Sequence, residues 1–151
     1  MTNKKLTLLQ TFNAMRVFLS LYQDKTHDED IAILLGGLHL FQDRPDWEKN
    51  PTTWDSAAWE DWMDGVHKTL SDLQIKQSPK TYIYNEVTAF LCMKNYLELF
   101  YNQVPFTGVK NVLKVINKID PVINNSNWKE WENAVNHAFN KTYALDQPLT
   151  Q

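Results

Sequence analysis

Residues 54–73, WDSAAWEDWMDGVHKTLSDL, decide the fold, because their apolar pattern returns later in the chain. The later copy is NWKEWENAVNHAF, residues 127–139. Four apolar positions with helical spacing recur 69 positions further on: Trp59, Trp62, Val66 and Leu70 correspond to Trp128, Trp131, Val135 and Phe139. What is repeated is a helix packing face, and this predicts an internal repeat.

The rest of the chain extends the repeat. Four further apolar positions recur 78 positions later: Phe12, Met15, Phe18 and Leu19 correspond to Phe90, Met93, Tyr96 and Leu97. The same offset carries residues 34–41 onto 112–119. We therefore predict an all-α fold of about six helices, built as two diverged three-helix units of one domain. The units cover about residues 6–74 and 78–140 of the single domain 1–151, and a C-terminal tail follows at 141–151.

Capping signals place the helix starts. Thr7 and Gln10 have the spacing of a capping box, and so do Thr26 and Glu29, so the first two helices are predicted to begin at these sites. Asp55 caps the third helix, and Ser78 before a proline predicts the start of the fourth.

The second helix carries apolar positions as far as Phe41 but contains Gly36 and Gly37. Each glycine costs a helix about 1 kcal/mol relative to alanine, which predicts a close helix crossing there. Residues 42–54 contain two prolines and predict a surface loop. The third helix should bury its apolar face as far as Leu73. The predicted core is Phe12, Met15, Phe18, Leu19, Leu34, Leu35, Leu38, Trp59, Trp62, Val66, Phe90, Met93, Leu97, Leu113, Ile116, Trp128, Trp131 and Val135.

Composition limits the class of protein. A chain of 151 residues with 43% hydrophobic residues can fill one core but is short for two. It contains no apolar run of about eighteen residues and no secretory signal pattern, so we expect a cytoplasmic protein that contacts no membrane. The sequence leaves the oligomeric state open, and a monomer is favoured. The single cysteine, Cys92, lies in an apolar stripe and is predicted to be a core residue.

The charge is unevenly distributed. The whole chain has a net charge of −3, but residues 24–72 hold 12 acidic and 4 basic residues, a net charge of −8. Such a segment repels phosphate backbones and attracts basic proteins. We therefore expect no nucleic-acid partner.

The acidic third helix also allows a catalytic interpretation. Asp64 and His67 have the i, i+3 spacing of a carboxylate and a histidine that share a metal in helical bundles, and Asp61 lies nearby. A small metal- or ligand-dependent helical enzyme is thus the alternative function. One such pair is not a metal site, and no serine lies in a glycine-flanked nucleophile turn, so we predict no catalytic residue, no metal and no cofactor.

Three segments carry a family resemblance. TLLQTFNAMRVFLSLY at residues 7–22, DEDIAILLGGLHLF at 28–41 and DSAAWEDWMDGV at 55–66 resemble small all-helical bacterial immunity proteins. These proteins belong to contact-dependent inhibition or Rhs-type polymorphic toxin systems. The resemblance covers about residues 6–70 and implies a protein that neutralises one cognate toxin by binding it, with no reaction of its own.

The charge pattern adds the chemistry of that toxin. A nuclease attracts phosphate with Lys and Arg, so an acidic inhibitor can occupy its site. We therefore predict a basic toxin, a nuclease in particular, as the partner. Exposed tryptophans in the loop are candidate anchors, because this residue is enriched at interface hot spots. The predicted partner-binding residues are Glu29, Asp30, Trp47, Trp54, Glu60, Asp61 and Asp64.

Overall fold

The computed structural model describes residues 4–119 and 126–140, which form six α-helices. The helices are α1 (Leu8–Thr26), α2 (Glu29–Gly37), α3 (Ser56–Asp72), α4 (Glu86–Gln103), α5 (Thr107–Ile116) and α6 (Ser126–Asn140). In the described ranges there is no sheet, and only two isolated β-bridges join loop residues. The predicted all-α class is confirmed. The predicted tail, residues 141–151, lies outside the described residues.

The first helix of each unit begins at a side-chain cap. The Thr7 Oγ1 accepts a hydrogen bond from the Gln10 N–H at 3.1 Å, and the Gln10 Oε1 accepts one from the Thr7 N–H at 2.9 Å, which confirms this capping box. Asn85, 78 positions after Thr7, caps α4 and accepts a hydrogen bond from the Thr88 N–H at 2.8 Å. The predicted start of α4 at Ser78 is wrong, because the segment before Asn85 forms turns and a β-bridge instead.

A sharp turn separates α1 from α2 and excludes the second predicted capping box. His27 has a φ of 55°, the left-handed conformation that ends a helix. Thr26 is therefore the last residue of α1, and its hydroxyl donates to the Tyr22 carbonyl at 2.9 Å. The N-cap of α2 is Asp28, whose carboxylate accepts a hydrogen bond from the Ile31 N–H at 3.1 Å.

The second helix ends at Gly37, so the prediction that it extends to Phe41 is wrong. An added Cβ at Gly36 or Gly37 would meet no atom within 4 Å, so the predicted close crossing is not there. The close crossing lies in α3. A Cβ on Gly65 would lie 2.8 Å from the Tyr96 Cα of α4, and only glycine permits this approach.

The buried core agrees with the predicted core except at the edges of α2 and α3. Leu35 and Trp59 are half-buried, and every other member of the predicted core is buried. Leu73 is 43% exposed because it follows the last turn of α3, so its predicted burial is wrong. Cys92 is fully buried, as predicted. No helix of the described ranges has both the length and the apolar content of a bilayer span.

The third helix of each unit packs on the first helix of the other unit: α3 contacts mainly α4, and α6 contacts mainly α1. The centre of the first contact is Trp62, which is fully buried in α3. Its ring lies edge-on to Phe12 of α1 at 5.5 Å and to Tyr96 of α4 at 6.0 Å between centroids. Trp62 thus joins the first helices of both units.

The second unit repeats this geometry. Trp131, 69 positions after Trp62, lies edge-on to Phe90 of α4 at 5.8 Å and to Phe18 of α1 at 5.9 Å. Phe90 and Phe18 occupy the positions equivalent to those of Phe12 and Tyr96. The sequence offsets therefore correspond to equivalent ring contacts.

Equivalent residues of the two units also contact each other directly. Leu6 and Tyr84, 78 positions apart, exchange two backbone hydrogen bonds of 2.8 and 2.9 Å. Asp30 and Gly108 are also 78 positions apart, and the Asp30 Oδ2 accepts a hydrogen bond from the Gly108 N–H at 2.8 Å. The N-cap of α5 is Phe106, which has no side-chain acceptor, so Asp30 of α2 caps α5 in its place.

We expect Gly65→Ala to destabilise the protein. The new Cβ must displace the backbone of α4, and overpacking of this kind costs about 1 to 3 kcal/mol. Gly36→Ala is the matched control, because its Cβ meets open space and alanine gains helix propensity of up to about 1 kcal/mol. Chemical denaturation measures both. Equal stabilities of the two variants would contradict the assigned crossing.

The two equivalent tryptophans should differ in their tolerance of phenylalanine. The Trp131 Nε1 donates to the Glu86 carbonyl at 2.9 Å, whereas the buried Trp62 Nε1 has no hydrogen-bond partner among the described residues. Trp131→Phe should therefore lower the free energy of unfolding by about 1 kcal/mol more than Trp62→Phe. Thermal unfolding of both variants checks this order, and the reverse order would refute it.

Candidate functional site

An acidic surface runs along the middle of α3. Glu60 and Asp64 are exposed and one helical turn apart, and Asp61 lies half-buried between them. No basic side chain in the described ranges forms an ion pair with these three. Lys68 of the same helix binds Asp72 instead, at 2.8 Å. The basic side chains of the described residues thus leave the charge of these three carboxylates unneutralised.

This environment raises the pKa of Asp61. Partial burial raises its pKa above the ordinary value, and the nearby carboxylates of Asp64, Asp55 and Glu60 raise it further. The ionised form of Asp61 is therefore destabilised both by desolvation and by like charge. A cation placed beside it would stabilise the ionised form.

Two neighbouring depressions beside α3, together called the groove, share Asp61 and Phe100 as lining residues. One, of about 220 Å³, lies between α2 and the start of α3, and the other, of about 300 Å³, lies between α3 and the end of α4. The first is lined by Ile33, Leu34, Gly37, Leu38, Asp55, Ala57, Ala58, Asp61, Tyr96, Phe100 and Phe106. The second is lined by Asp61, Asp64, Lys68, Leu99, Phe100 and Gln103. The groove therefore has an apolar floor and an acidic edge.

The two loop tryptophans have different environments. Trp54 is 73% exposed, and its ring lies edge-on to Phe41 at 6.4 Å between centroids. Trp47 is half-buried and packs against the core, which fits a residue that covers the core. Of the two predicted anchors, only Trp54 is mostly exposed to solvent.

The predicted residues of α2 lie away from the groove. Glu29 and Asp30 are in the first turn of α2, whereas the groove is lined by the end of that helix from Ile33 onward. The Asp30 carboxylate is also engaged with Gly108, as described above. The structure thus brings Asp61 and Asp64 together at one groove, with Glu60 beside them, and places Glu29 and Asp30 elsewhere.

The alternative metal-binding interpretation concerns the same helix. Asp64 lines the depression toward Leu99 and Phe100, whereas His67 lines a separate one near Gln74. Across residues 4–119 and 126–140, no three or more His, Cys, Asp or Glu side chains are placed to share a metal ion.

Sequence reasoning did not identify the apolar floor of the groove. Tyr96, Phe100 and Phe106 have the spacing of ordinary core residues; Tyr96 is buried, whereas Phe100 and Phe106 are only half-buried and line the depression near the ends of α4 and α2. The one signal in the sequence was the glycine pair at the end of α2, whose role was assigned to internal packing.

The chain matches no protein-family model, no curated protein and no solved structure. The resemblance of residues 6–70 to immunity proteins therefore stays a prediction.

Asp61→Asn should stabilise the protein at pH 7. The pKa of Asp61 in the folded protein is raised above 3.8, so the ionised form present at pH 7 opposes folding, and this cost disappears as the pH falls through the raised value. The gain in thermal midpoint should therefore be present at pH 7 and fade near pH 4. Asp46→Asn, at an exposed loop position, is the control. A gain that persists unchanged at acid pH would contradict this assignment.

Proposed function

We propose that this protein is an immunity protein that binds a basic toxin, in particular a nuclease, and blocks it by occupying its active-site surface. The observation that carries the proposal is the acidic surface of α3, which no basic side chain of the described residues neutralises. Unneutralised like charges oppose folding, and a cationic partner surface turns this cost into affinity. The net charge of −8 across residues 24–72 extends the attraction beyond the contact itself.

The proposal assigns different parts of binding to different residues. Exposed charges such as Glu60 and Asp64 accelerate the encounter with a basic protein, because their field acts over about 10 Å at 0.1 M salt. A partly desolvated charge such as Asp61 and an exposed ring such as Trp54 act on dissociation instead, because water leaves them only in the complex. No bond is made or broken in this mechanism.

The experiment begins with the gene immediately upstream, which in such systems encodes the toxin. Its C-terminal domain is expressed in cells with and without this protein, and growth and complex formation are measured. Rescue of growth together with a complex of the two proteins supports the proposal. A neighbour that is not toxic, or one that kills equally in both cases, overturns it.

Reversing the charges of Glu60, Asp61 and Asp64 to Lys should slow association with the toxin domain by at least about tenfold at low salt, and by less at high salt. The matched control reverses Asp43, Asp46 and Glu48, which are exposed in the loop and give the same change in net charge. Stopped-flow association at two salt concentrations measures both variants.

If the two triple variants associate equally slowly, net charge rather than the position on α3 controls the encounter. Rescue unaffected by the α3 variant would refute the acidic-surface mechanism and leave the binding function in place.

A further inference from the structure

Neither close packing nor backbone conformation requires the two glycines of α2. Gly65 and Gly108 are required by close neighbours, namely the backbone of Tyr96 and the side chains of α2. At Gly36 and Gly37, by contrast, an added Cβ would meet nothing within 4 Å, and neither residue has the positive φ that favours glycine. Gly37 leaves one side of the groove without a side chain, although alanine would suit the helix better at both positions.

The depression beside Gly37 suits one side chain rather than a small-molecule ligand. Its volume of about 220 Å³ is below the roughly 300 to 1,000 Å³ of typical ligand pockets. Leu38 and Tyr96 at its floor are buried, and Ile33 at its rim is 63% exposed. An apolar side chain of a partner would therefore contact apolar residues of α2, α3 and α4.

The acidic residues of the groove favour a partner segment that also carries a basic side chain. Asp55 and Asp61 line the same depression, and Asp64 lines the neighbouring one, so a Lys or Arg beside the inserted apolar residue would meet carboxylates. A second copy of this chain fits poorly, because it would bring another stretch of net charge −8 against the first.

We propose that the groove between α2 and α3 binds an amphipathic basic segment of a protein. An apolar side chain of the segment enters the depression, a neighbouring Lys or Arg pairs with Asp61, and the backbone crosses α2 beside Gly37. The identification of this segment as part of the toxin rests on the proposed function. The groove itself is a property of this chain and can be tested separately.

The test fills the groove without removing a charge. Gly37→Phe places a ring in the open space of the depression. Gly36→Phe, one residue earlier, places a ring in open space outside the depression. Ala57→Phe, at an exposed position of the groove, is the second blocking variant if Gly37→Phe fails to fold. Thermal unfolding of each variant is measured first.

Two probes are used. The first is a synthetic helical peptide with leucine on one face and lysine on the other, compared with the same peptide carrying glutamate in place of lysine. The second is the toxin domain. We expect the lysine peptide alone to shift the amide NMR signals of residues 33–38 and 55–61. Gly37→Phe and Ala57→Phe should weaken binding of both probes by at least about tenfold, and Gly36→Phe should not.

Three results separate the two proposals. Blocking variants that bind the toxin as tightly as Gly36→Phe overturn the groove and leave the immunity function standing. A toxin that is neither bound nor neutralised, while the lysine peptide still binds at the groove, overturns the immunity function alone. An unchanged protein that binds neither probe overturns the groove.

Discussion

The fold depends on two buried tryptophan rings, Trp62 and Trp131, each of which contacts the first helices of both units. Edge-to-face ring contacts of this kind contribute about 0.5 to 1.5 kcal/mol each beyond the area they bury. Because α3 packs mainly on α4 and α6 mainly on α1, the third helix of each unit packs chiefly against the other unit. The two units therefore stabilise each other, and the groove exists only because residues of α2, α3 and α4 are held together in this way.

Local signals in the sequence predicted most of the fold. Helical periodicity and the offsets of 69 and 78 located the helices and most of the core, and the Thr7 capping box was confirmed. Errors arose where a contact between distant parts of the chain decides the outcome. The helix α4 does not begin before Asn85 because Tyr84 pairs with Leu6, and Gly65 is needed because Tyr96 lies against it. Neither contact has a local signature.

The sequence predicted the acidic residues of the candidate site but not the groove beside them. Charge counting identified the acidic residues of α3, because net charge requires no knowledge of packing. It could not separate Asp61, at the groove, from Asp30, which caps α5. It could not separate Trp54 from Trp47 either, because the exposure of a loop residue depends on how the loop folds back. Such distinctions need the relative positions of helix ends.

The packing of each third helix on the first helix of the other unit affects how the chain folds during synthesis on the ribosome. Residues 11–19 of α1 are buried on all sides, and α6 covers one of those sides. Lys25 of α1 meets Glu130 of α6 at 2.6 Å, so partners separated by 105 positions must come together. Helix α1 therefore leaves the ribosome before α6, which covers part of it, has been made. During that interval its apolar surface is exposed to the cell, and a chain that stops before α6 cannot complete its core.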